Sequence, residues 1–363
     1  MKRIAILRYN LSHVGGAEKV AVNLANALSA DYQVHLLSMT MDGAGLAFDL
    51  DPAVHFHNFF QGNPRVRELT WKASRALRAY LKQHGIELVF SIAPATNTIM
   101  LLACMGTGIK TVFCDHHSLA FDDGRGRRVQ RYLGAKFADK VVTLTDEDRE
   151  NYIQKYHLKA GKVSVIYNWL EALEGQPEID MTAKKILTVG RLSQQKGYDL
   201  LAKVASQILP ANPDWTWDIY GEGQDSIKAD LVASLEAAGC LHQVDFKGNV
   251  KGMDHIYPGH SLYVMTSYHE GLPLVLLEAK QYGLPIVSFA CPTGPSEIVS
   301  DGRNGYLVAP YDVALMVTRI QTLIDDTDLR QSMSEQSMDD TEKFDKARIL
   351  AQWQGLIHEL LGE

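Results

Sequence analysis

The chain alternates short runs rich in β-branched and aromatic residues with longer stretches of helical spacing. Such alternation predicts βαβ units, in which parallel strands form a sheet and helices cover both of its faces. The predicted strands of the first half are RIAIL (3–7), YQVHLLS (32–38), AVHFHNF (53–59), ELVFSI (87–92), KTVFCD (110–115), KVVTLT (140–145) and VSVIYN (163–168). Those of the second half are KILTVG (185–190), WTWDIYG (215–221), HQVDFKG (242–248), SLYVMTS (261–267), PIVSFA (285–290) and GYLV (305–308). We therefore expect an α/β protein with two Rossmann-like, doubly wound domains.

A polar stretch, EALEGQPEIDMTAKK (171–185), separates the two sets of strands and is interpreted as an interdomain linker. The length of 363 residues suits two domains of roughly 150 to 200 residues better than one core. We expect an N-terminal domain (1–170), a C-terminal domain (171–345) facing it across a cleft, and a final helix (346–363) near that cleft. The final helix is predicted from apolar residues at helical spacing: Ile349, Trp353, Ile357 and Leu361.

Composition and cysteine usage exclude several classes of protein. With 46% hydrophobic and 22% charged residues the chain is typical of a globular protein. Its four cysteines show no CxxC spacing, which argues against a zinc site or a disulfide framework and favours a reducing cytosol. The apolar run in MKRIAILRYN is too short for a signal peptide, and no apolar stretch approaches the roughly 18 residues of a membrane span. We expect a cytoplasmic protein whose contact with a membrane, if any, is peripheral.

Charge is unevenly divided along the chain. Residues 1–170 hold 21 Lys and Arg against 15 Asp and Glu, a net of +6, whereas the remainder has a net of −13. Two basic amphipathic stretches, 64–84 and 124–140, account for much of the positive charge. Helices of this kind suit an anionic membrane surface or a phosphorylated, lipid-linked acceptor, and solvated helices covering the sheet are the alternative. Nucleic acid is disfavoured because the whole chain is acidic and carries no binding motif. Within residues 124–140, we expect Arg127, Arg128 and Arg131 to contact the acceptor or the membrane.

Three loops at the carboxyl ends of predicted strands are candidate binding segments, because ligands of open α/β sheets collect there. In the first, RYNLSHVGGAEKV (8–20), Gly15 and Gly16 precede a helix. Paired glycines let the backbone approach a ligand, and a helix N-terminus favours an anion. A tight strand-to-helix turn is the alternative, and the GxGxxG fingerprint of dinucleotide binding is absent.

The second loop, TVGRLSQQKGYDLL (188–201), places Arg191 and Lys196 on either side of a short polar turn. Charge-assisted donors at this position can converge on one anion, for which a diphosphate is the obvious candidate. Solvated surface charges are the alternative.

The third loop opens EGLPLVLLEA (270–279), in which Glu270 occupies a turn and Glu278 falls inside an apolar helix. An unpaired buried carboxylate costs several kcal/mol, so we expect Glu278 to have a partner. The hydroxyls of a ribose or a structural salt bridge would both serve. The backbone N–H groups of Gly271 and Leu272, at the helix start, are further candidate donors to a ligand.

Four segments together resemble family 4 of the nucleotide-sugar glycosyltransferases: GGAEKVAVNLANAL (15–28), GRLSQQKG (190–197), EGLPLVLLEA (270–279) and GPSEIVSDGRNGYLV (294–308). The resemblance covers nearly the whole chain. It implies two facing Rossmann-like domains, which is the B-type glycosyltransferase (GT-B) fold, with retaining chemistry and no metal or other cofactor. It also implies that the N-terminal domain binds the acceptor and the C-terminal domain binds the nucleotide-sugar donor.

The same resemblance implies roles for individual residues. Glu278 would bind the ribose, and Arg191 and Lys196 would stabilise the departing diphosphate. Glu270 would bind hydroxyls of the transferred sugar with the backbone of Gly271 and Leu272. The Gly15–Gly16 turn would border the donor phosphates, and His116 matches an active-site histidine of the family, although His117 beside it is an alternative.

Three further points concern the chemistry. Glu270 is either a binding group or a nucleophile, and we favour binding and electrostatic stabilisation. VIYNWL (165–170) replaces the Pro-Asn-Gly turn usual in the family, so the role of Asn168 is open. The acidic triplet DLD (49–51) is a poor metal candidate because it precedes Pro52 in a loop unrelated to the proposed cleft.

We expect a retaining glycosyltransferase that moves a hexose or N-acetylhexosamine, with UDP favoured over GDP. The acceptor would be a saccharide or lipid-linked saccharide in bacterial polysaccharide or lipopolysaccharide synthesis. A nucleotide-sugar epimerase or hydrolase of the same architecture and a catalytically silent, nucleotide-binding partner subunit are the alternatives. A silent subunit has no need of the full set of Arg191, Lys196, Glu270 and Glu278.

Overall fold

The computed structural model describes residues 1–43, 45–120, 124–171, 173, 179–250 and 255–362. The chain divides into two compact units, one formed by Met1–Trp169 with Lys343–Glu363 and the other by Leu170–Glu342. The second unit therefore begins one residue before the predicted linker. Residues 172 and 174–178 of that linker lie outside the described residues.

The thirteen predicted strands are all present in the described chain. The strands of the first unit are β1 (Arg3–Asn10), β2 (Gln33–Met41), β3 (His55–Gln61), β4 (Leu88–Ile92), β5 (Lys110–Asp115), β6 (Lys140–Thr143) and β7 (Val163–Val165). Those of the second unit are β8 (Lys185–Val189), β9 (Thr216–Tyr220), β10 (Val244–Gly248), β11 (Leu262–Met265), β12 (Ile286–Phe289) and β13 (Gly305–Val308).

Helices connect most of these strands, as βαβ units require. They are α1 (Gly16–Leu28), α2 (Val66–Gln83), α3 (Asn97–Cys104), α4 (Arg125–Phe137), α5 (Asp146–Tyr156), α6 (Tyr198–Ala211), α7 (Asp225–Ala237), α8 (Leu274–Gln281), α9 (Pro295–Ile298), α10 (Val313–Asp325), α11 (Thr327–Glu335) and α12 (Lys346–Leu361).

The two sheets share the order of their first six strands, and the first sheet adds β7 at its edge. Within the described residues the strand order is β3-β2-β1-β4-β5-β6-β7 in the first sheet and β10-β9-β8-β11-β12-β13 in the second. All neighbouring strands of both sheets are parallel, for example Ile4 paired with Val34 and Ile186 with Trp217. This is the doubly wound order, in which successive strands are added outward in one direction up to β3 or β10 and in the opposite direction from β4 or β11 onward, so that the switch points lie between β1 and β4 and between β8 and β11. The prediction of two Rossmann-like sheets is therefore confirmed.

Alternation along β1 explains how the first sheet is covered. Ile4 and Ile6 face a core that includes α1 and α12, whereas Ala5 and Leu7 face a core built with α2 and α3. Because successive side chains of a strand point to opposite faces, one apolar run supplies both cores. The strand consequently reads as continuously apolar rather than alternating.

The final helix, α12, belongs to the first unit. Its residues Ile349, Trp353 and Ile357 are buried, and the Trp353 ring packs edge-on against Phe90 of β4 with centroids 5.5 Å apart. On the polar side of the helix, Lys140 Nζ lies 2.8 Å from a carboxylate oxygen of Glu359. The chain therefore returns to its starting unit after completing the second one.

Candidate functional site

The second unit places two predicted loops side by side at its switch point. The loop after β8 carries Arg191 and Lys196, and the loop after β11 carries Glu270. Gly197, which precedes α6, has a φ of 64°, and a Cβ at that position would lie 2.1 Å from the carbonyl oxygen of Thr266. Only glycine permits this contact, because any other residue would clash with backbone and would adopt an unfavourable left-handed conformation. The contact brings Lys196 to the end of β11.

Lys196 and Glu270 form a direct ion pair at this point. Lys196 Nζ lies 2.7 Å from Glu270 Oε1, and the Glu270 side chain is only 8% exposed. The backbone of Glu270 is also fixed, since its N–H donates to Pro292 O and its carbonyl accepts from the hydroxyl of Thr293. Charge-assisted hydrogen bonds of this length are strong, so the carboxylate is held in one orientation.

Glu278 has the partner that its place in an apolar helix requires. The phenol of Tyr257 donates a 2.7 Å hydrogen bond to Glu278 Oε2. Tyr257 is completely buried and stacks in parallel on Tyr282, with centroids 4.9 Å apart and planes inclined by 4°. Burial, followed by the Glu278 charge, raises the pKa of Tyr257 well above its ordinary value, so the phenol retains its proton. Sequence reasoning had not identified Tyr257.

Arg191 is exposed, but the backbone around it is fixed by the loop that follows β9. The N–H of Leu192 donates to Glu222 O at 3.0 Å, and Gly190 N–H donates to Tyr220 O at 2.9 Å. A Cβ at Gly221 would lie 2.1 Å from Gly190 O. The GEG triplet 221–223 was the available sequence signal for this support, and sequence reasoning missed it.

Gly271 and Leu272 are buried in the turn between β11 and α8. The carbonyl of Gly271 accepts from the Thr293 hydroxyl at 3.3 Å. The turn that carries Glu270 is thus fastened to residues 292–293 beyond β12, which the sequence had not linked to the site.

In the first unit, Gly15 ends the loop that follows β1, and Gly16 is the first residue of α1. Gly15 is the N-cap residue in an extended conformation. Glu18, in the first turn of α1, accepts from Arg8 Nε at 2.8 Å, and Arg8 Nη1 donates to Ile92 O at 3.2 Å. This half-buried arginine connects β1, α1 and the end of β4. Strands β1 and β4 flank the switch point of the first sheet.

The same loop is tied to the end of β2. Asp42 accepts hydrogen bonds from Asn10 Nδ2 at 2.7 Å and from the Ser12 hydroxyl at 2.8 Å. His13 Nε2 lies 2.9 Å from Asp42 Oδ1. The hydrogen bonds from Asn10 and Ser12 lower the pKa of Asp42 to about 2, so the carboxylate is ionised at neutral pH.

His116 directly follows β5, and its environment keeps the imidazole neutral. Burial lowers the pKa of His116 to about 3, and the positive charge of Arg8 adds to the effect. Its Nε2 is buried and has no hydrogen-bond partner among the described residues. His117 N–H donates to Asp115 Oδ1 at 3.1 Å. The assignment of His116, rather than His117, as the active-site histidine stays a prediction.

Arg131 does not belong to the exposed basic surface that the sequence predicted. Its side chain is 2% exposed, and Nε lies 2.7 Å from Oδ2 of the equally buried Asp115. The Tyr152 phenol donates to the same oxygen at 2.5 Å. The expectation that Arg131 contacts acceptor or membrane is therefore wrong, because the helix turns this arginine into the core.

Arg127 and Arg128 are exposed, as the prediction requires. Tyr132 and Phe137 of the same helix are also exposed, the latter by 66%. The Trp71 side chain of α2 is 74% exposed. Helices α2 and α4 both contact α3.

The described residues contain no group of three or more His, Cys, Asp or Glu placed to hold a metal ion. Asp51 of the DLD triplet instead accepts from the N–H of Ala53 at 2.7 Å. Cys104, Cys114, Cys240 and Cys291 are all buried free thiols. Among the helices of the described chain, none is both long and apolar enough to cross a membrane.

Comparisons with known proteins match both halves of the chain. Residues 14–172 match the family model described as Glycosyltransferase Family 4. Residues 171–340 match the one described as Glycosyl transferases group 1. Together the two matches span almost the entire chain, including all of the predicted donor-site residues.

Two curated bacterial relatives align over nearly the full length. An uncharacterized glycosyltransferase of Haemophilus influenzae is 29% identical over 98% of this chain and 100% of its own. The amylovoran biosynthesis glycosyltransferase AmsD of Erwinia amylovora is 25% identical over 99% and 100%, respectively. Among solved structures, a variant of S. aureus TarM in complex with fondaparinux, α-GlcNAc-glycerol and UDP superposes with a TM-score of 0.83. It shares 16% identity and covers 98% of this chain and 99% of its own.

Proposed function

Since the chain belongs to the family 4 glycosyltransferases, with the GT-B fold, we propose that it is a retaining hexosyltransferase or N-acetylhexosaminyltransferase. Its donor would be a UDP-sugar, and its acceptor a saccharide or lipid-linked saccharide in bacterial polysaccharide or lipopolysaccharide synthesis. The observation that carries the proposal is the Lys196–Glu270 pair, 2.7 Å long, at the switch point of the second sheet. The relative AmsD acts in amylovoran biosynthesis, and TarM binds UDP.

Each donor group has a role in this proposal. Glu278 accepts hydrogen bonds from the ribose hydroxyls, and Glu270 accepts from hydroxyls of the transferred sugar. Arg191 and Lys196 bind the diphosphate, while the backbone of Gly271 and Leu272 contributes N–H donors. In the proposed complex, the ammonium of Lys196 thus lies between the Glu270 carboxylate and the diphosphate, on which negative charge develops as the sugar departs. That arrangement favours the transition state over the ground state.

The proposed reaction breaks the bond between the anomeric carbon and the diphosphate oxygen. The acceptor oxygen forms its bond to that carbon on the same face, which retains configuration, and its proton passes to the departing phosphate. The two cations supply the charge stabilisation that a metal ion supplies elsewhere. We therefore propose that the reaction requires no metal or other cofactor.

The acceptor is proposed to bind the first unit, with His116 at the reacting sugar and the Gly15–Gly16 loop beside the donor phosphates. We also propose peripheral contact with an anionic membrane through exposed residues of α4. Arg127 and Arg128 supply positive charge there, and Tyr132 and Phe137 supply exposed aromatic surface. Basic helices with exposed aromatic residues are typical of membrane interfaces. An inner-membrane location would give access to a lipid-linked acceptor.

Assays of donor-sugar hydrolysis and of sugar transfer test the proposed activity. The purified protein is incubated with UDP-, GDP-, ADP- and TDP-sugars, with and without a panel of saccharide acceptors and with and without EDTA, and the anomeric configuration of the transfer product is read by NMR. We expect turnover with UDP-sugars, insensitivity to EDTA and a product with the configuration of the donor. Lys196→Ala should lower turnover by about 100-fold, as loss of an electrostatic donor does in other enzymes.

Lys184→Ala is the matched control, because Lys184 pairs with Asp214 on the exposed surface of the same unit. Activity that requires a divalent ion, or that inverts configuration, would contradict the mechanism. Binding of UDP without any turnover would favour the silent partner subunit, and conversion of the donor alone would favour the epimerase or hydrolase.

Flotation with vesicles tests the membrane contact. Vesicles containing phosphatidylglycerol should retain the protein, whereas phosphatidylcholine vesicles should not. Arg127→Ala/Arg128→Ala should lower retention, and the control pair Lys203→Ala/Lys228→Ala removes the same charge from exposed positions of the second unit. Equal retention of both double variants would exclude attachment through α4.

A further inference from the structure

The buried Tyr257 donates a phenolic hydrogen bond to Glu278, the proposed ribose-binding carboxylate. It lies in a short turn just before β11, and its hydroxyl donates to Glu278 Oε2 at 2.7 Å. The ring packs against two other aromatic side chains. Tyr282 stacks on it at 4.9 Å, and Tyr263 lies nearly parallel to it at 6.3 Å. A donor packed in this way has little rotational freedom.

The contact determines how Glu278 can be used. Glu278 is only partly buried, on a helix whose adjacent residues Leu277 and Ala279 are buried. Without a fixed partner, its flexible side chain would occupy several rotamers. Ligand binding would then lose the conformational entropy of that side chain, which would lower the affinity. An ionised carboxylate accepts about four hydrogen bonds, so one phenolic donor does not exhaust it.

We propose that Tyr257 is a positioning residue that orients the Glu278 carboxylate toward the vicinal hydroxyls of the donor ribose. This inference rests on the proposed function, because it requires a nucleotide donor. Tyr257 is buried beneath Glu278 and acts through it, so it is not assigned a contact with the substrate. Its loss should weaken the recognition of the ribose hydroxyls and leave the binding of base and diphosphate unchanged.

Nucleotides that differ only in the ribose test the proposal. Calorimetry gives the affinities of UDP and of 2′,3′-dideoxy-UDP for the wild type, Tyr257→Phe and Glu278→Gln. We expect the wild type to prefer UDP. Tyr257→Phe should bind UDP about tenfold more weakly, as expected for loss of a hydrogen bond to a charged group. It should bind the dideoxy compound unchanged, so that the preference falls toward that of Glu278→Gln.

Tyr263→Phe is the control, because it removes a buried phenol from the same aromatic group. The Tyr263 hydroxyl bonds the backbone of Val189 instead of Glu278, with a 3.2 Å contact to Val189 O. The preference for UDP should be unchanged in this variant. Replacing Tyr257 by 3-fluorotyrosine, a stronger hydrogen-bond donor of similar shape, should increase the preference and provides a test if Tyr257→Phe does not fold.

The possible failures are distinguishable. Equal weakening of both nucleotides in Tyr257→Phe would make Tyr257 a purely structural residue and overturn the proposal. A wild type that binds both nucleotides equally would also overturn it, by removing the ribose role of Glu278 while leaving a nucleotide-binding protein. A wild type that binds neither nucleotide would instead contradict the proposed UDP donor itself.

Discussion

Arg131 gives the sharpest test of how α4 is built. The guanidinium and the Asp115 carboxylate are both at most 2% exposed and lie 2.7 Å apart. Removing one member of such a pair leaves a buried charge without compensation, which costs about 3–5 kcal/mol. Asp115 retains hydrogen bonds from the Tyr152 phenol and the His117 N–H. We therefore expect Arg131→Met to cost about 3 kcal/mol of unfolding free energy, the lower end of that range.

Urea unfolding followed by circular dichroism measures the cost. Arg128→Met is the matched control on the same helix, and its exposed position predicts a change within about 0.5 kcal/mol. The double variant Arg131→Met/Asp115→Asn removes both charges and should recover part of the loss. A cost below about 1 kcal/mol for Arg131→Met, or a double variant no more stable than the single one, would refute the argument from uncompensated charge.

Three further variants test other parts of the structure. Gly197→Ala should destabilise the second unit by more than about 2 kcal/mol, because it adds a clash with Thr266 O to left-handed strain. Gly239→Ala, at a φ of 70° with open space around it, should show only the strain, so equal melting temperatures would contradict the clash. Burial lowers the pKa of His35 to about 4 from its ordinary 6.5, so the unfolded chain binds a proton that the folded chain does not. Stability should fall as pH drops from 6.5 through 4, and thermal melts of His35→Gln should show a shallower fall. Trp353→Ala on α12 should cost about 3–5 kcal/mol of unfolding free energy, and a negligible change in urea titrations would show that α12 does not support the first unit.

The fold was predictable because local patterns specify it. The central strand runs, such as RIAIL and KILTVG, are apolar enough to be buried on both faces, and glycine or polar residues separate them from the next helix. Strand order is less local, but right-handed crossovers limit the arrangements of parallel strands to few. The attachment of α12 was not predictable, because its stripe of Ile349, Trp353 and Ile357 would suit any apolar surface.

The candidate site was predictable where its residues follow strands directly. Lys196 and Glu270 come from different loops, yet both follow central strands, so the topology alone brings them to one edge. Arg131 was misassigned for the opposite reason. Its charge suggested solvent, but its partner Asp115 is 16 residues earlier in the chain. The burial of a charged helix residue depends on such a partner, and periodicity alone does not identify it.

The two acids of EGLPLVLLEA show how one segment obtains stability from separate elements. Glu270 is paired with Lys196, 74 residues earlier, and Glu278 with Tyr257, 21 residues earlier. A cation beside Glu270 can also stabilise a charged leaving group, whereas a neutral phenol beside Glu278 leaves the charge of that carboxylate intact for hydroxyl donors. The chemistry of the two partners therefore matches the proposed division between sugar transfer and ribose binding. In the proposed complex, exchanging Lys196 and Tyr257 would place a cation at the ribose and would remove the Lys196 cation from the diphosphate. The two acids are eight residues apart in the sequence, but their different partners come from the loop after β8 and from the turn before β11.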